Sequence, residues 1–541
     1  MDGLMMDYPL TINAILNRAR QVFPDKEVVS VLPSGAKHCY TYKDLYARVV
    51  RLSHVLRKLG AKPGDRIATF AWNHYRHLEL YYAAPMSGFV LHTLNIRLFP
   101  EQLEFVVNHA EDAVVFVDAS LVKAIEPLAR KLKTVKHWIV MTEDGKLPET
   151  TLAPVSEYEA LMKQASDVED FPAVGENDAA GLCYTSGTTG NPKGVLYSHR
   201  STYLHTLLAG QTDVLGLSER DVVMPVVPMF HANAWGQPYL LPNIGAKTVF
   251  AGSNVTPEAL VKLIVSERVT YALGVPTIWN GLLQYLREHK TDLGELKHMV
   301  VGGSAVPRAM IEAFKKEFGI LIIQGWGMTE MSPLGCTGRL MRRMEDWPEA
   351  RQIDVLANAG IPCVGVEMKV VDPLGKELPW DGKSAGELLV RGPAIASAYF
   401  RNEEAKEQFT RDGWFRTGDV AFLDPDAYLH IADRTKDLIK SGGEWISSVE
   451  MENAIMACPG VVEAAVVSRP DPKWDERPVA YVVRKPGAAT PTPADVVQHL
   501  TGKFAKWQLP TEEDIRFIEQ IPRTSVGKFD KKVLRQQQRA S

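Results

Sequence analysis

Cysteine is scarce in this chain, and it follows no pattern. The five cysteines (Cys39, Cys183, Cys336, Cys363, Cys458) are scattered through 541 residues without a CxxC pair or metal-ligand spacing. That argues against a disulfide framework or a zinc site and fits a reducing cytoplasm. An excess of one charge is lacking too. The 61 basic and 65 acidic residues leave a formal net charge of −4, without the basic surplus that would concentrate a nucleic acid. Positive charge must therefore act locally, on small anions. No apolar run reaches the length that spans a bilayer, and residues 1–10 carry two acidic residues and no cationic stretch ahead of an apolar core. A soluble protein without a transmembrane segment is expected. Internal repeats and low-complexity tracts are also lacking.

What is present points to a large α/β protein. A chain of 541 residues, 45% hydrophobic, exceeds what one core usually supports, so at least two domains are expected. Between residues 27 and 95 strand-like runs (28–32, 66–71) alternate with helical periods. The helix expected over 42–59 places Leu45, Val49, Leu52, Leu56 and Leu59 on one face, with Thr41 and Asp44 to cap it and Gly60 to stop it. Near residue 360 the texture changes to short β segments with turn signals at 373–375 and 424–426, which read as antiparallel. A charged connector, 433–438, leads into about 106 residues that read as a small α+β domain. Within it, 447–450 has the form of a capping box, strands fall near 461–468 and 478–484, and the Lys- and Gln-rich end (531–539) reads as a solvated helix face.

The densest chemical signal lies at residues 184–194, Tyr-Thr-Ser-Gly-Thr-Thr-Gly-Asn-Pro-Lys-Gly. Gly187, Gly190 and Gly194 let the backbone approach a ligand, Thr185, Ser186, Thr188 and Thr189 supply donors, and Lys193 adds charge. Phosphate oxygens use all three. The segment is not a P-loop, because Pro192 and Gly194 flank Lys193 where that motif needs Lys-Ser/Thr, and a flexible linker would not explain the ordered Pro-Lys-Gly. Further on stand Gln-Gly-Trp-Gly-Met-Thr-Glu (324–330), Phe-Arg-Thr-Gly-Asp (415–419) followed by Asp433-Arg434, Val-Gly-Gly-Ser-Ala-Val-Pro (301–307), Pro-Met-Phe-His-Ala-Asn-Ala-Trp-Gly (228–236), Ser-Gly-Gly-Glu-Trp (441–445) and Ile-Pro-Arg-Thr-Ser-Val-Gly-Lys (521–528). Each has a structural reading of its own: a helix cap at Thr329, an ion pair between Asp419 and Arg434, a strand-to-helix turn at 301–307, core packing of His231 and Trp235, a hairpin at 441–445, a solvated Lys528.

Taken together, the segments resemble the adenylate-forming superfamily of acyl-CoA synthetases, adenylation domains and luciferases, and the likeness covers essentially the whole chain. The resemblance implies a large multi-sheet N-terminal domain (1–435) that binds AMP and acyl groups and a small mobile α+β lid (436–541), with Lys436 as the hinge. It assigns ATP to Thr185, Ser186, Gly187, Thr188, Thr189, Gly190, Lys193, Gly303, Ser304, Ala305, Gln324, Gly325, Trp326, Gly327 and Thr329. Asp419 and Arg434 would take the ribose, and Lys440 and Trp445 would join the nucleotide. Mg²⁺ goes to Glu330 with Thr185, and Lys528, Thr185, Lys193 and Glu330 carry catalysis. The acid and the pantetheine arm of CoA would meet His231, Trp235, Gly302, Gly303, Gly325, Met331, Gly442, Gly443 and Glu444.

Residues 95–102 and 326–335, the latter ending Met-Ser-Pro-Leu-Gly, look like medium-chain fatty acyl-CoA synthetases and the related 3-methylmercaptopropionate ligases, and the 441–445 phrase is more typical of fatty acyl-CoA synthetases than of peptide-forming adenylation domains. The expected activity is an AMP-forming carboxylic acid:CoA ligase working through acyl-AMP on a medium-chain fatty acid. The thioether acid, transfer to a carrier protein, or nucleotide binding without catalysis are the alternatives. The expected partners are a small-molecule carboxylic acid, ATP and CoA, no nucleic acid, and as a further candidate a second copy of the chain.

Overall fold

The computed structural model describes residues 1, 3–185, 191–434, 436–441, 444–485, 491–523 and 529–540. Among these residues the strands form four sheets. The largest places the parallel strands Val222–Pro225, Lys247–Phe250, Tyr271–Gly274, His298–Gly302 and Leu321–Gly327 at its centre and ends in antiparallel edges. A seven-stranded sheet, parallel from Val155–Glu157 to Ala179–Tyr184, ends in the antiparallel hairpin partner Gly194–Ser198. The central strands are buried on both faces, as parallel strands between helices must be.

Local signals and tertiary burial agree. The helix Tyr42–Lys58 starts at Thr41, whose hydroxyl and Asp44 carboxylate form the reciprocal cap, and it buries Leu45, Val49, Leu52 and Leu56 in the core shared by the two large sheets. The expected antiparallel region is a four-stranded sheet of Glu367–Val371, Gly386–Arg391, Phe415–Leu423 and Leu429–Arg434. Residues 415–419 lie inside its third strand rather than ahead of it.

Past residue 436 the described strands pair only with one another, in a five-stranded sheet covered by the helix Ser448–Met456. Two expectations about this region need correction. Ser447 caps Ser448–Met456 by accepting from the Glu450 amide (3.1 Å), but Glu450 does not return the bond and the Ser447 hydroxyl goes to the Ala432 carbonyl. The C-terminal helix Lys531–Ala540 is not a solvated face at its start. Lys531 is largely covered, pairs with Glu452 at 2.6 Å and donates to Ser448 Oγ at 2.6 Å. Leu534 is fully buried, and Arg535 pairs with Asp437. Apolar and carboxylate partners from three other elements claim this helix, a tertiary choice that its own composition does not encode.

Three buried histidines tie the helices of the first core to acid sensitivity. Burial holds His77 down to about 3, His199 to about 4 and His205 to about 4, from an ordinary 6.5. A native pKa below the unfolded value means each contributes stability that is complete above pH 6.5 and lost as pH falls toward 4. His205 accepts from the Leu334 amide (3.3 Å). His205→Gln keeps an acceptor but cannot ionise, so chemical denaturation at pH 6.5 and pH 5 should show the wild type losing up to about 2 kcal/mol more than the variant. Parallel losses would remove His205 from the account.

Candidate active site

Four of the segments singled out by sequence leave parallel strands at their carboxyl ends, the position where open α/β sheets bind ligands. Residues 228–236 follow Val222–Pro225, Gly303 and Ser304 follow His298–Gly302, Gln324–Gly327 close Leu321–Gly327, and Thr185 follows Ala179–Tyr184. All open into one cavity of about 1950 Å³, whose opposite wall comes from the four-stranded sheet and the small C-terminal region.

Thr185 and Lys193 close the base of the 184–194 segment. The Thr185 amide donates to the Lys193 carbonyl (2.9 Å), and the Lys193 amide donates to Thr185 Oγ1 (3.3 Å). Ser186, Gly187, Thr188, Thr189 and Gly190 lie outside the described residues, as do Gly442, Gly443 and Lys528. The Lys193 ammonium stands 4.9 Å from the centre of the Tyr399 ring, and the Tyr399 hydroxyl donates to Glu330 Oε1 at 2.5 Å. Burial, reinforced by the Glu330 carboxylate, pushes the Tyr399 hydroxyl far above its ordinary pKa, so it stays a donor. Sequence reasoning missed Tyr399, because a tyrosine after a run of small and apolar residues (394–398) announces nothing. Its segment is fastened by the Phe400 amide to the Gly194 carbonyl (2.8 Å) and by the Ala396 amide to the Glu330 carbonyl (2.8 Å).

Asp419 and Arg434 face each other across adjacent strands, with Arg434 Nε 2.6 Å from Asp419 Oδ1. The Trp326 indole N–H donates to Asp419 Oδ2 at 3.1 Å. A carboxylate accepts at both oxygens, the chemistry that a vicinal diol needs. The ion pair expected as a bland reading is therefore real and is also the site's frame. Thr329 is held through its carbonyl by the Tyr197 hydroxyl (2.7 Å), in a short 3₁₀ turn, Thr329–Met331, that presents Glu330.

The apolar end of the cavity is built on unusual backbone. Ala232, Asn233, Ala234, Trp235 and Gly236 all have positive φ, from 43° to 79°, a full left-handed turn directly after His231. Ala232, Ala234 and Trp235 each cost about 1–2 kcal/mol there, strain that survives only where the surroundings impose it. Trp235 packs on Gly302: a Cβ at Gly302 would stand 3.2 Å from the indole and 2.8 Å from the Gly325 carbonyl oxygen. Glycine at 302 is required by that approach. His231, Trp235, Gly302, Gly303, Ser304, Ala305, Gln324, Gly325, Trp326 and Gly327 all line the cavity.

Three expected residues lie elsewhere. Met331 is fully buried beside His205 and Cys363 in a separate small pocket, Trp445 is 56% exposed on a hairpin, and Lys440 on the same hairpin is exposed, its amide donating to Glu476 (2.8 Å). The small region instead presents Lys436, Arg523, Phe529 and Lys531 to the cavity. Arg523 and Phe529 bracket the segment that contains Lys528.

A model of AMP-binding enzymes matches residues 16–400, and a model of their C-terminal domain matches residues 450–528. The chain is 45% identical to a 3-methylmercaptopropionyl-CoA ligase of Ruegeria lacuscaerulensis, over 99% of this chain and 98% of that one. The chain belongs to the AMP-binding acyl-CoA ligases. It is also 48% identical to a long-chain-fatty-acid–CoA ligase of Thermus thermophilus, over 98% and 96% of the two chains. The fold matches the crystal structure of an anthranilate CoA ligase in complex with anthranoyl-AMP, with a TM-score of 0.87 at 26% identity, covering 99% of this chain and 98% of that one. Enzymes of this family use ATP with Mg²⁺ and CoA. Among the described residues of the ligase no helix is long and apolar enough to cross a membrane.

The donor set suits magnesium. Among the described residues no group of three or more His, Cys, Asp or Glu could hold a metal alone, so a cation at Glu330 would take most of its shell from phosphate oxygens and water, as Mg²⁺ prefers. Glu330→Gln should lower pyrophosphate release and thioester formation by at least about tenfold, 1.4 kcal/mol of barrier. Tyr399→Phe leaves one Glu330 oxygen without its donor, a loss worth about 1–3 kcal/mol. A magnesium titration of activity should then require several-fold more cation. Unchanged titration curves in both variants would make Glu330 a structural residue only.

Proposed function

We propose that this ligase activates a medium-chain fatty acid in two steps, with the acid lying between His231 and Trp235. The acid's carboxylate oxygen attacks the α-phosphorus of ATP, the bond to the pyrophosphate oxygen breaks, and acyl-AMP forms. The CoA sulfur then attacks the acyl carbonyl, AMP leaves, and the thioester is released. No covalent enzyme intermediate is needed. Lys193 and Lys528 balance the negative charge that gathers on the phosphates in the first step, and His231 orients the carboxylate. Asp419 and Arg434 hold the ribose. Glu330 with the Thr185 hydroxyl would hold Mg²⁺, which would supply neutralisation of phosphate charge.

The packing of Trp235 on Gly302 is the observation that carries the choice of acid, because it sets a wall at a fixed depth. C6 to C12 acids should outperform acetate and long-chain acids in CoA-dependent AMP release. The competing reading is 3-methylmercaptopropionate, supported by the relative of that name at 45% identity. A higher kcat/KM for the thioether acid than for octanoate would give that reading the site. A cytoplasmic location is supported by five free cysteines without a disulfide framework. An association of two chains is supported by the exposed apolar side chains Leu4, Met5, Met6 and Tyr8.

We also propose the domain division at Lys436, with residues 436–541 turning between two poses. Support comes from the placement of Arg523 and Phe529 at the cavity while Trp445 stands outside it. This is the arrangement adenylation needs; thioester formation would require the hairpin face. Lys436→Pro, which fixes φ near about −65°, should preserve pyrophosphate release without CoA and abolish CoA consumption from synthetic acyl-AMP. Lys528→Ala should do the reverse. Equal losses in both assays for both variants would overturn the swinging lid.

A further inference from the structure

The left-handed turn at 232–236 is held from behind by a residue that does not itself face the cavity. Asn233, with φ 55° and ψ 42°, lies at the centre of that turn, and asparagine is among the few side-chain-bearing residues that enter this region readily. Its Oδ1 accepts from the Tyr81 hydroxyl (3.2 Å) and from the Cys183 thiol (3.4 Å). Tyr81 is fully buried and shares its hydroxyl proton with the Met229 carbonyl, two residues before His231. Cys183 is also buried and lies within reach of Thr93 Oγ1 at 3.3 Å. Burial pushes its thiol up to about 11, against hydrogen bonds that include the amides of Asn233 and Ala232, so it remains a neutral partner.

These contacts join two parts of the site. Cys183 sits in the strand Ala179–Tyr184, two residues before Thr185, and Asn233 sits two residues before Trp235. The wall of the apolar end is thereby keyed to the strand that leads into the phosphate segment. The same turn ends at Gly236, φ 79°, where a Cβ would come within 2.9 Å of the His205 ring, so both ends of the turn are confined.

We propose that Asn233 is a specificity-determining positioning residue: clasped by Tyr81 and Cys183, it fixes the left-handed turn that sets Trp235 against Gly302, and so fixes how long an acyl chain the ligase accepts. This rests on the reading that the acid lies at the His231–Trp235 end of the cavity. The residue acts through Trp235 and does not touch the acid.

The test compares Asn233→Gly, which tolerates the backbone but drops the side-chain bonds, with Asn233→Leu, Tyr81→Phe and Trp235→Ala. For each, kcat/KM is measured for straight-chain acids from C4 to C16, together with the KM for ATP and the melting temperature. Asn233→Gly should change the ratio of kcat/KM for dodecanoate to that for hexanoate by about tenfold, in the same direction as Trp235→Ala, with the KM for ATP within about twofold of wild type. Tyr81→Phe should shift the ratio less, in the same direction. In the Trp235→Ala background, Asn233→Gly should change the ratio no further, because the residue it acts through is gone. A uniform fall in kcat/KM for all acids, with the ratio unchanged in both Asn233→Gly and Tyr81→Phe, would overturn the inference and leave a purely structural role. Failure of Asn233→Leu to fold leaves those two variants to decide. If Trp235→Ala itself leaves the chain-length profile unchanged, the acid is elsewhere, and the underlying reading falls together with this one.

Discussion

A parallel strand can deliver its chain to only one edge of its sheet, and the cavity of this ligase depends on that constraint. Strands of the large sheet end at the same rim, so the 228–236 turn, the Gly303 bend and the Glu330 turn are neighbours without any contact having to draw them together. The seven-stranded sheet brings Thr185 to the same place. Chemistry was then added at loop ends, where substitution costs the core little.

The second structural debt is charge. Lys193, Tyr399 and Glu330 form a row in which a cation lies over an aromatic face and a neutral hydroxyl donates to a carboxylate. The row keeps a lysine and a glutamate close without letting them neutralise each other outright, so each remains open to a ligand of opposite sign. Asp419 is held differently, by a direct ion pair to Arg434 at one oxygen and the Trp326 indole N–H at the other.

Much of this was legible in the sequence, for identifiable reasons. The helix at 42–58 was readable because its cap, its apolar face and its glycine stop are all local. That Thr185, Lys193, the 324–330 segment and Asp419 with Arg434 belong together was readable because each stands in a short ordered segment of the chain, and they line one cavity. Tyr399 and Asn233 were not, since their partners lie 69 and 50 residues away (Glu330 and Cys183) and only the fold brings them together. Met331 misled through proximity: one residue past Glu330, the chain turns it into the core and away from the cavity. The C-terminal helix misled through composition, because its lysine and arginine serve buried carboxylates.

Those carboxylates carry a consequence for how the two parts of the chain meet. Asp433 closes the large region's last strand, and its Oδ2 accepts from the Ser448 amide and hydroxyl, both at 2.6 Å, at the start of the first helix beyond the connector. Lys531 reaches the same hydroxyl and Glu452. Burial pushes Asp433 up in pKa while the Lys531 ammonium and the Ser448 bonds pull it back, so the buried carboxylate is compensated by the partners that the small region supplies. A joint fastened in this way behaves as a detent rather than a free swivel: it rests in one position, and any large rotation about the connector must first break the bonds between Asp433 and Ser448.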